Sequence, residues 1–199
     1  MDALAYLKDK FNLDYSTRPP TELHIDRNDL AVIFAELGFT LGAEIGVERG
    51  LYSEVLCRSN PNLKLFSIDS WEPYPDYRVH VSKDKIDSFY DQTKARMAPY
   101  NCTMIKAFSV DAAKMFEDGT FDFVYIDANH TFIYIAEDIN AWLPKVRPGG
   151  IISGHDYLRA KEGKYKCHVK DVVQAWAYSH SVSPWFYTYE HCQSWFWVV

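Results

Sequence analysis

The sequence is short of the features that mark a secreted, membrane-bound or nucleic-acid-binding chain. Its 199 residues include only four cysteines, Cys57, Cys102, Cys167 and Cys192. Their separations of 45, 65 and 25 residues leave no Cys-x-x-Cys pair, which excludes a zinc-finger pattern and argues against a disulfide scaffold. No run approaches the ~18 apolar residues that a membrane-spanning helix needs. The opening Met1-Asp2-Ala3-Leu4 lacks the basic start and apolar stretch of a signal peptide. A reduced, cytoplasmic protein with no membrane partner is expected. Positive charge is also scarce: 21 Lys and Arg face 27 Asp and Glu, a formal net charge of −6. A chain of that sign is a poor general phosphate binder, so nucleic acid is not an expected partner. There is no low-complexity tract, internal repeat or linker to separate two large domains.

What is present is a large apolar and aromatic content, 48% and 16% of residues, enough for a packed core, a ring-lined pocket, or both. Hydrophobic spacing resolves most of the chain into alternating elements. Leu30, Ile33, Phe34 and Leu37 predict a helix capped by Asp26 or Asn28 and ended by Gly38. Strands are expected at Leu41 to Val47, Leu63 to Ile68, Thr103 to Ala107, Phe121 to Ile126 and Ile151 to Gly154. Pro148-Gly149-Gly150 reads as a turn before the last of these. Helices follow the strands, at 51–56, 82–97, 109–117, 132–143 and 169–176. Two ring-rich segments, 185–190 and 194–199, read as closing strands, with Trp185, Trp195 and Trp197 as packing residues. Repeated βα units predict an α/β fold, a doubly wound and mainly parallel sheet with helices on both faces.

Such sheets bind ligands beyond the carboxyl ends of their strands. Four of the five ends here carry carboxylates: Glu44 to Gly50, Asp69 to Trp71, Asp127 to His130, and His155-Asp156-Tyr157. The fifth is Phe108-Ser109. Gly46 and Gly50 allow a tight turn and close approach of a ligand. Asp69, 19 residues past Gly50, is placed to accept ribose hydroxyls. The third glycine of a dinucleotide fingerprint is missing, which weakens an NAD-dependent oxidoreductase as the alternative reading.

Glu44-x-Gly46-x-x-x-Gly50, Asp69 and Phe121-Asp122-Phe123-Val124-Tyr125-Ile126-Asp127 resemble class I S-adenosylmethionine-dependent methyltransferases. Ile126-Asp127-x-x-His130, Asp138, Leu143-Pro144, Pro148-Gly149-Gly150 and Gly154-His155-Asp156-Tyr157 are similar to a bacterial subgroup of small O-methyltransferase-like proteins. The resemblance covers residues 40–199, expected as the S-adenosylmethionine-binding domain, while residues 1–39 read as an N-terminal helical segment. It implies a Rossmann-like sheet of seven strands with an antiparallel closing strand. It also implies that Glu44, Gly46 and Gly50 lie under the methionine part of the cofactor, with Glu48 beside them where relatives have a small residue. Asp69 would hold the ribose with Ser70 and Trp71 alongside, Phe108 and Ser109 would lie by the adenine, and Asp127 at the reacting centre.

The implied reaction is methylation of a hydroxyl on a small molecule such as a sugar or natural product. Alignment matters most in such a transfer, and the hydroxyl must lose its proton. Asp127, His130, His155 and Asp156 are the candidate catalytic set, with His130 or His155 as base. Asp127, His155 and Asp156 form a candidate site for a divalent metal, which would instead lower the hydroxyl pKa. A basic loop, Arg159 to His168, with Lys170 just beyond it, reads as a solvated face or as a lid that attracts an anionic acceptor. The ring-rich loop from Trp71 to Tyr77 is a candidate opposite wall. A non-catalytic cofactor-binding protein is a further alternative.

Overall fold

The computed structural model describes residues 1–16, 18–74, 81–160 and 166–199. Helices α1 (Ala3–Phe11) and α2 (Arg27–Glu36) flank a short strand β1 (Thr21–Leu23). There follow β2 (Leu41–Ile45), α3 (Leu51–Ser59), β3 (Lys64–Asp69), α4 (Lys83–Met97), β4 (Cys102–Lys106), α5 (Ser109–Ala113) and β5 (Phe121–Ile126). The chain closes with α6 (Phe132–Trp142), β6 (Val146–Gly154), α7 (Val169–Ser179), β7 (Phe186–Thr188) and β8 (Trp195–Val198). The strands form one sheet in the order β1-β7-β8-β6-β5-β2-β3-β4.

The sheet has eight strands where the resemblance implied seven, and the addition is β1, inside a segment read as helical. Three residues are too few to show an alternating pattern, and β1 exists through its partner: Thr21 to Leu23 pair in parallel with Phe186 to Thr188. Only β8 runs against its neighbours, between β6 and β7. β6 begins at Val146 rather than Ile151, so Pro148-Gly149-Gly150 lies within a strand. Its pairing with β5 jumps from Phe121–Val146 to Phe123–Ile151, which absorbs the extra residues as an irregularity. Arg147 Nε bonds Asp122 Oδ1 at 2.7 Å beside this jump.

Strand alternation builds two apolar layers. Val124 and Ile126 face a layer with Ile139 and Trp142 of α6 and Val172 and Val173 of α7. Phe123 and Tyr125 face the other, with Leu7 of α1, Leu30 and Phe34 of α2, and Leu56 of α3. Trp185, Trp195 and Trp197 are buried, in keeping with packing roles. All four cysteines are free. No helix among the described residues is long and apolar enough to cross a membrane.

Every strand but β8 ends on the same edge. The ladder there continues past the strands: Gly46 N donates to Ile68 O at 2.8 Å, Asp127 N to Ile45 O at 2.7 Å and His155 N to Ile126 O at 2.9 Å. These bonds hold the polar ends of β2, β3, β5 and β6 side by side.

Candidate active site

The loop after β2 is fixed by its backbone. Gly46 has φ +89°, and a Cβ there would lie 2.2 Å from the carbonyl oxygen of Asp127. The glycine therefore serves the close passage of the chain after β5, a reason the sequence alone did not supply. Asp69 Oδ2 accepts from the amides of Val47 and Glu48, both at 2.9 Å, and Oδ1 accepts from Trp71 N at 2.7 Å. A carboxylate has about four acceptor positions, so roughly one remains for a ligand hydroxyl. Burial raises the pKa of Asp69, and these three amides oppose it. Trp71 is buried, and its Nε1 donates to the Glu48 carbonyl at 2.9 Å. Thr93 Oγ1 of α4 donates to the same carbonyl at 3.0 Å.

In front of this loop opens a cleft of about 760 Å³, part of it open solvent. Gly46, Glu48, Asp69, Ser70, Trp71, Ser109 and Asp127 line it. Three residues assigned to the cofactor by resemblance are not among its lining. Gly50 caps α3, its φ at +72°. Phe108 is 47% exposed and packs edge-on against Tyr74, ring centres 5.7 Å apart. Glu44 lies behind the loop, 2% exposed, and accepts from Ser53, which contacts Ser67 Oγ at 2.9 Å. Burial pushes the Glu44 carboxyl up to about 8. Ser109 is engaged internally: it donates to Asp138 and accepts from Trp142 Nε1 at 2.8 Å. Burial also raises Asp138, to about 7.

Tyr74, in the ring-rich loop read as a candidate wall, does line the cleft, and Ile86 and Phe89 of α4, which were not anticipated, complete it. Their signal was the spacing Ile86, Phe89, Thr93, Met97, which is one helix face. Pro75 to Tyr77 of the ring-rich loop lie outside the described residues, as do Lys161 to Tyr165 of the basic loop. At the base of the basic loop, Ala160 and Cys167 pair as an antiparallel bridge.

Asp127, His130, His155 and Asp156 meet at one border of the cleft. His130 lies between the two carboxylates, Nε2 3.1 Å from Asp127 Oδ1 and Nδ1 3.1 Å from Asp156 Oδ2. A neutral imidazole can donate on one side only, so two short carboxylate contacts call for a ring protonated on both nitrogens or for a proton on a carboxyl. His155 Nδ1 faces the same pair more loosely, 3.7 Å from Asp127 Oδ2 and 3.6 Å from Asp156 Oδ1. The amide of His168 donates to the His130 carbonyl at 2.8 Å, which ties this loop to the start of α7. Asp156 has φ +50°, as Glu48 and Trp71 have +51° and +42°. Non-glycine residues held at positive φ tend to collect at functional sites, and these three stand at the ends of β6, β2 and β3. The tight trio of ligand-type groups is Asp127, His130 and Asp156, within 4.8 Å of one another, whereas the sequence reading had placed His155 in that role.

Residues 43–157 match the family model described as a methyltransferase domain. The chain belongs to this methyltransferase family. Membership favours the methyltransferase reading over an oxidoreductase. No curated protein sequence matches the chain. Among solved structures, the methyltransferase resembles an O-methyltransferase of tomaymycin synthesis from Streptomyces achromogenes, in complex with SAM. That match has 19% identity, covers 100% of this chain and 90% of that one, and has a TM-score of 0.63. An O-methyltransferase from Bacillus cereus in complex with SAH matches at 15% identity, 98% and 89% coverage, and TM-score 0.60. The N-methyltransferase NodS from Bradyrhizobium japonicum matches at 12% identity, 85% and 92% coverage, and TM-score 0.58. At these identities the likeness is one of fold. That fold carries both O- and N-methylation, so the acceptor atom has to be argued from the site.

Proposed function

We propose that the methyltransferase moves the methyl group of S-adenosylmethionine to a hydroxyl of a small molecule, with His155 taking the hydroxyl proton. The observation that carries this reading is the Asp127–His130–His155–Asp156 cluster at the border of the cleft. The cleft itself, with Gly46, Asp69, Ser70 and Trp71 on its wall, is assigned to the cofactor. In this reading the methyltransferase domain spans residues 40–199, with residues 1–39 packed onto it.

Bound S-adenosylmethionine supplies a methyl already activated on a sulfonium, so the protein's task is alignment and proton removal. The acceptor oxygen forms a bond to the methyl carbon as the carbon–sulfur bond breaks, and the hydroxyl proton passes to Nε2 of His155. Asp127 and Asp156, on the Nδ1 side, orient the ring and offset the charge it gains, as a carboxylate does for a catalytic histidine. His130 spaces the two carboxylates.

A second reading is favoured by the tight trio. Asp127, His130 and Asp156 could hold a divalent cation, and a mixed carboxylate–imidazole set suits manganese, iron or zinc better than magnesium. Such an ion would supply acidity to the acceptor hydroxyl.

Turnover on a panel of hydroxylated small molecules separates these readings. His155→Ala and Asp156→Ala are expected to lower turnover at least ~100-fold. Free imidazole should restore part of the His155→Ala rate. Full turnover in both variants would refute the catalytic role of the cluster. Loss of activity with chelator and its return with Mn²⁺ or Zn²⁺ would favour the metal reading. Binding of S-adenosylhomocysteine with no acceptor methylated would favour the non-catalytic alternative.

A further inference from the structure

The N-terminal segment carries none of the family motifs, yet the fold brings it to the edge that holds the cluster. β1 runs parallel to β7, so its carboxyl end and the start of α2 lie on the same edge as Asp127 and Asp156. Arg27 is the first residue of α2, after the Asp26 cap. A cation there sits at the unfavourable end of the helix dipole. Local helix rules do not account for it, and such departures collect at functional positions.

The Arg27 side chain lies over the ring of Tyr52, Cζ 5.2 Å from the ring centre. Tyr52 in turn packs on Tyr125, centres 4.4 Å apart, and Tyr125 lies 6.5 Å from the ring of His155. A row of rings thus leads from Arg27 to the proposed base. Burial works against the guanidinium charge, but Tyr125, Asp127, Tyr52 and Glu190 outweigh it and raise its pKa. Those carboxylates are bonded elsewhere. Asp127 faces His130 and His155, and Glu190 Oε1 accepts from Thr188 Oγ1 at 2.7 Å and Ser194 Oγ at 3.2 Å. Among the described residues the guanidinium makes no hydrogen bond or ion pair. A rigid fork of five donors is therefore held in place by stacking with its polar edge unpaired. At the ends of the basic loop, by contrast, Arg159 pairs with Asp171, and Lys170 of α7 lies 5.0 Å over the Tyr157 ring.

We propose that Arg27 is a specificity residue that recognises an oxyanion, a carboxylate or a phosphate, on the methyl acceptor. Tyr52 and Tyr125 themselves are core residues, 5% and 0% exposed, so the acceptor lies over the sheet edge that these rings underlie, with its hydroxyl at His155 and its anionic group at Arg27. The inference rests on the reading of the His155 side as the acceptor side.

The test uses calorimetric titration of matched pairs into the S-adenosylhomocysteine-saturated protein: protocatechuate with catechol for the carboxylate, and glucose phosphate with glucose for the phosphate. The wild type is expected to prefer the anionic member of at least one pair by roughly 10- to 100-fold, the range for a charged hydrogen bond. Arg27→Met, which keeps the stem over Tyr52, should erase that preference, and Arg27→Lys should keep part of it. A wild type without preference in either pair, or a preference that survives Arg27→Met, overturns the proposal. S-adenosylhomocysteine affinity and melting temperature are read on each variant. Failure of the wild type to bind S-adenosylhomocysteine would defeat the cofactor reading, whereas intact binding with an unchanged preference defeats only the role of Arg27.

Discussion

The two halves of the sheet edge hold their polar groups in different ways. Over β2 and β3, buried and half-buried side chains are bonded to backbone: Asp69 takes three amides, and Trp71 and Thr93 of α4 both donate to the Glu48 carbonyl. Over β5, β6 and the β1–α2 junction, charged side chains face one another or a ring: His130 between two carboxylates, His155 beside them, and Arg27 over Tyr52 with no hydrogen bond or ion pair among the described residues. The first half is a rigid mould, in which changing a side chain moves the chain. The second is a set of charges whose arrangement the protein holds by packing, so changing one alters chemistry more than shape. A cofactor common to a family and an acceptor particular to one enzyme would make these two demands.

The largest effect is expected at the seam between the halves. Gly46→Val puts atoms where the Asp127 backbone passes, at a φ that valine resists. Overpacking of this kind costs on the order of 3 kcal/mol, roughly 6–12 °C in melting temperature at this chain length. S-adenosylhomocysteine binding should be lost with it. A folded variant that binds normally would break the comparison, since the mould would then not depend on the glycine.

Asp69→Ala should act next most strongly. It removes the acceptor of three amides, and S-adenosylhomocysteine affinity should fall by ~1.5–3 kcal/mol, as for a hydrogen bond to a charged group. Melting temperature should fall as well, unlike that of His155→Ala, whose expected effect is on turnover. Equal melting shifts in the two variants would erase the distinction between mould and charge set.

An effect on the pH dependence of stability rather than on binding sharpens the comparison at its buried base. The Glu44 carboxyl titrates at about 8 when folded, against an ordinary 4.5. Between these values the folded state holds a proton that the unfolded state has released, so stability falls as pH rises through the window. Its contribution is fully present below about 4.5 and gone above about 8. Glu44→Gln should flatten this part of the urea-midpoint profile between pH 5 and 8, leaving a shallower fall from Asp138, which burial raises to about 7. An unchanged profile would mean that Glu44 is charged in the folded protein.

Much of this molecule was legible along the chain. Helices and strands with five or more residues and one buried face announce themselves by period, and β5 was read to the residue. The strand ends were legible because polar residues interrupt apolar runs where the chain leaves the sheet. The glycine turn and Asp69 were found as a pattern of types and spacings. That pattern identified the loop but did not tell which atoms Asp69 would hold. Glu44, Gly50 and Phe108 belong to the same stretches, yet the fold turns them to a buried seam, a helix cap and the surface.

What only the tertiary structure decided has one physical cause: contacts between residues far apart in sequence leave no periodic trace. β1 is a strand because β7 lies beside it, and three residues carry no signal of that. Gly46 is needed by a backbone some eighty residues further along, at Asp127. His130 rather than His155 stands between the carboxylates because β5 and β6 end in register, and Arg27 reaches the edge that holds them because β1 runs parallel to β7. The sequence by itself determined the α/β class, the sheet edge that carries the polar strand ends and the residue types gathered there. Which of those residues touch, and which are spent on the protein's own backbone, was decided by the packing of the sheet.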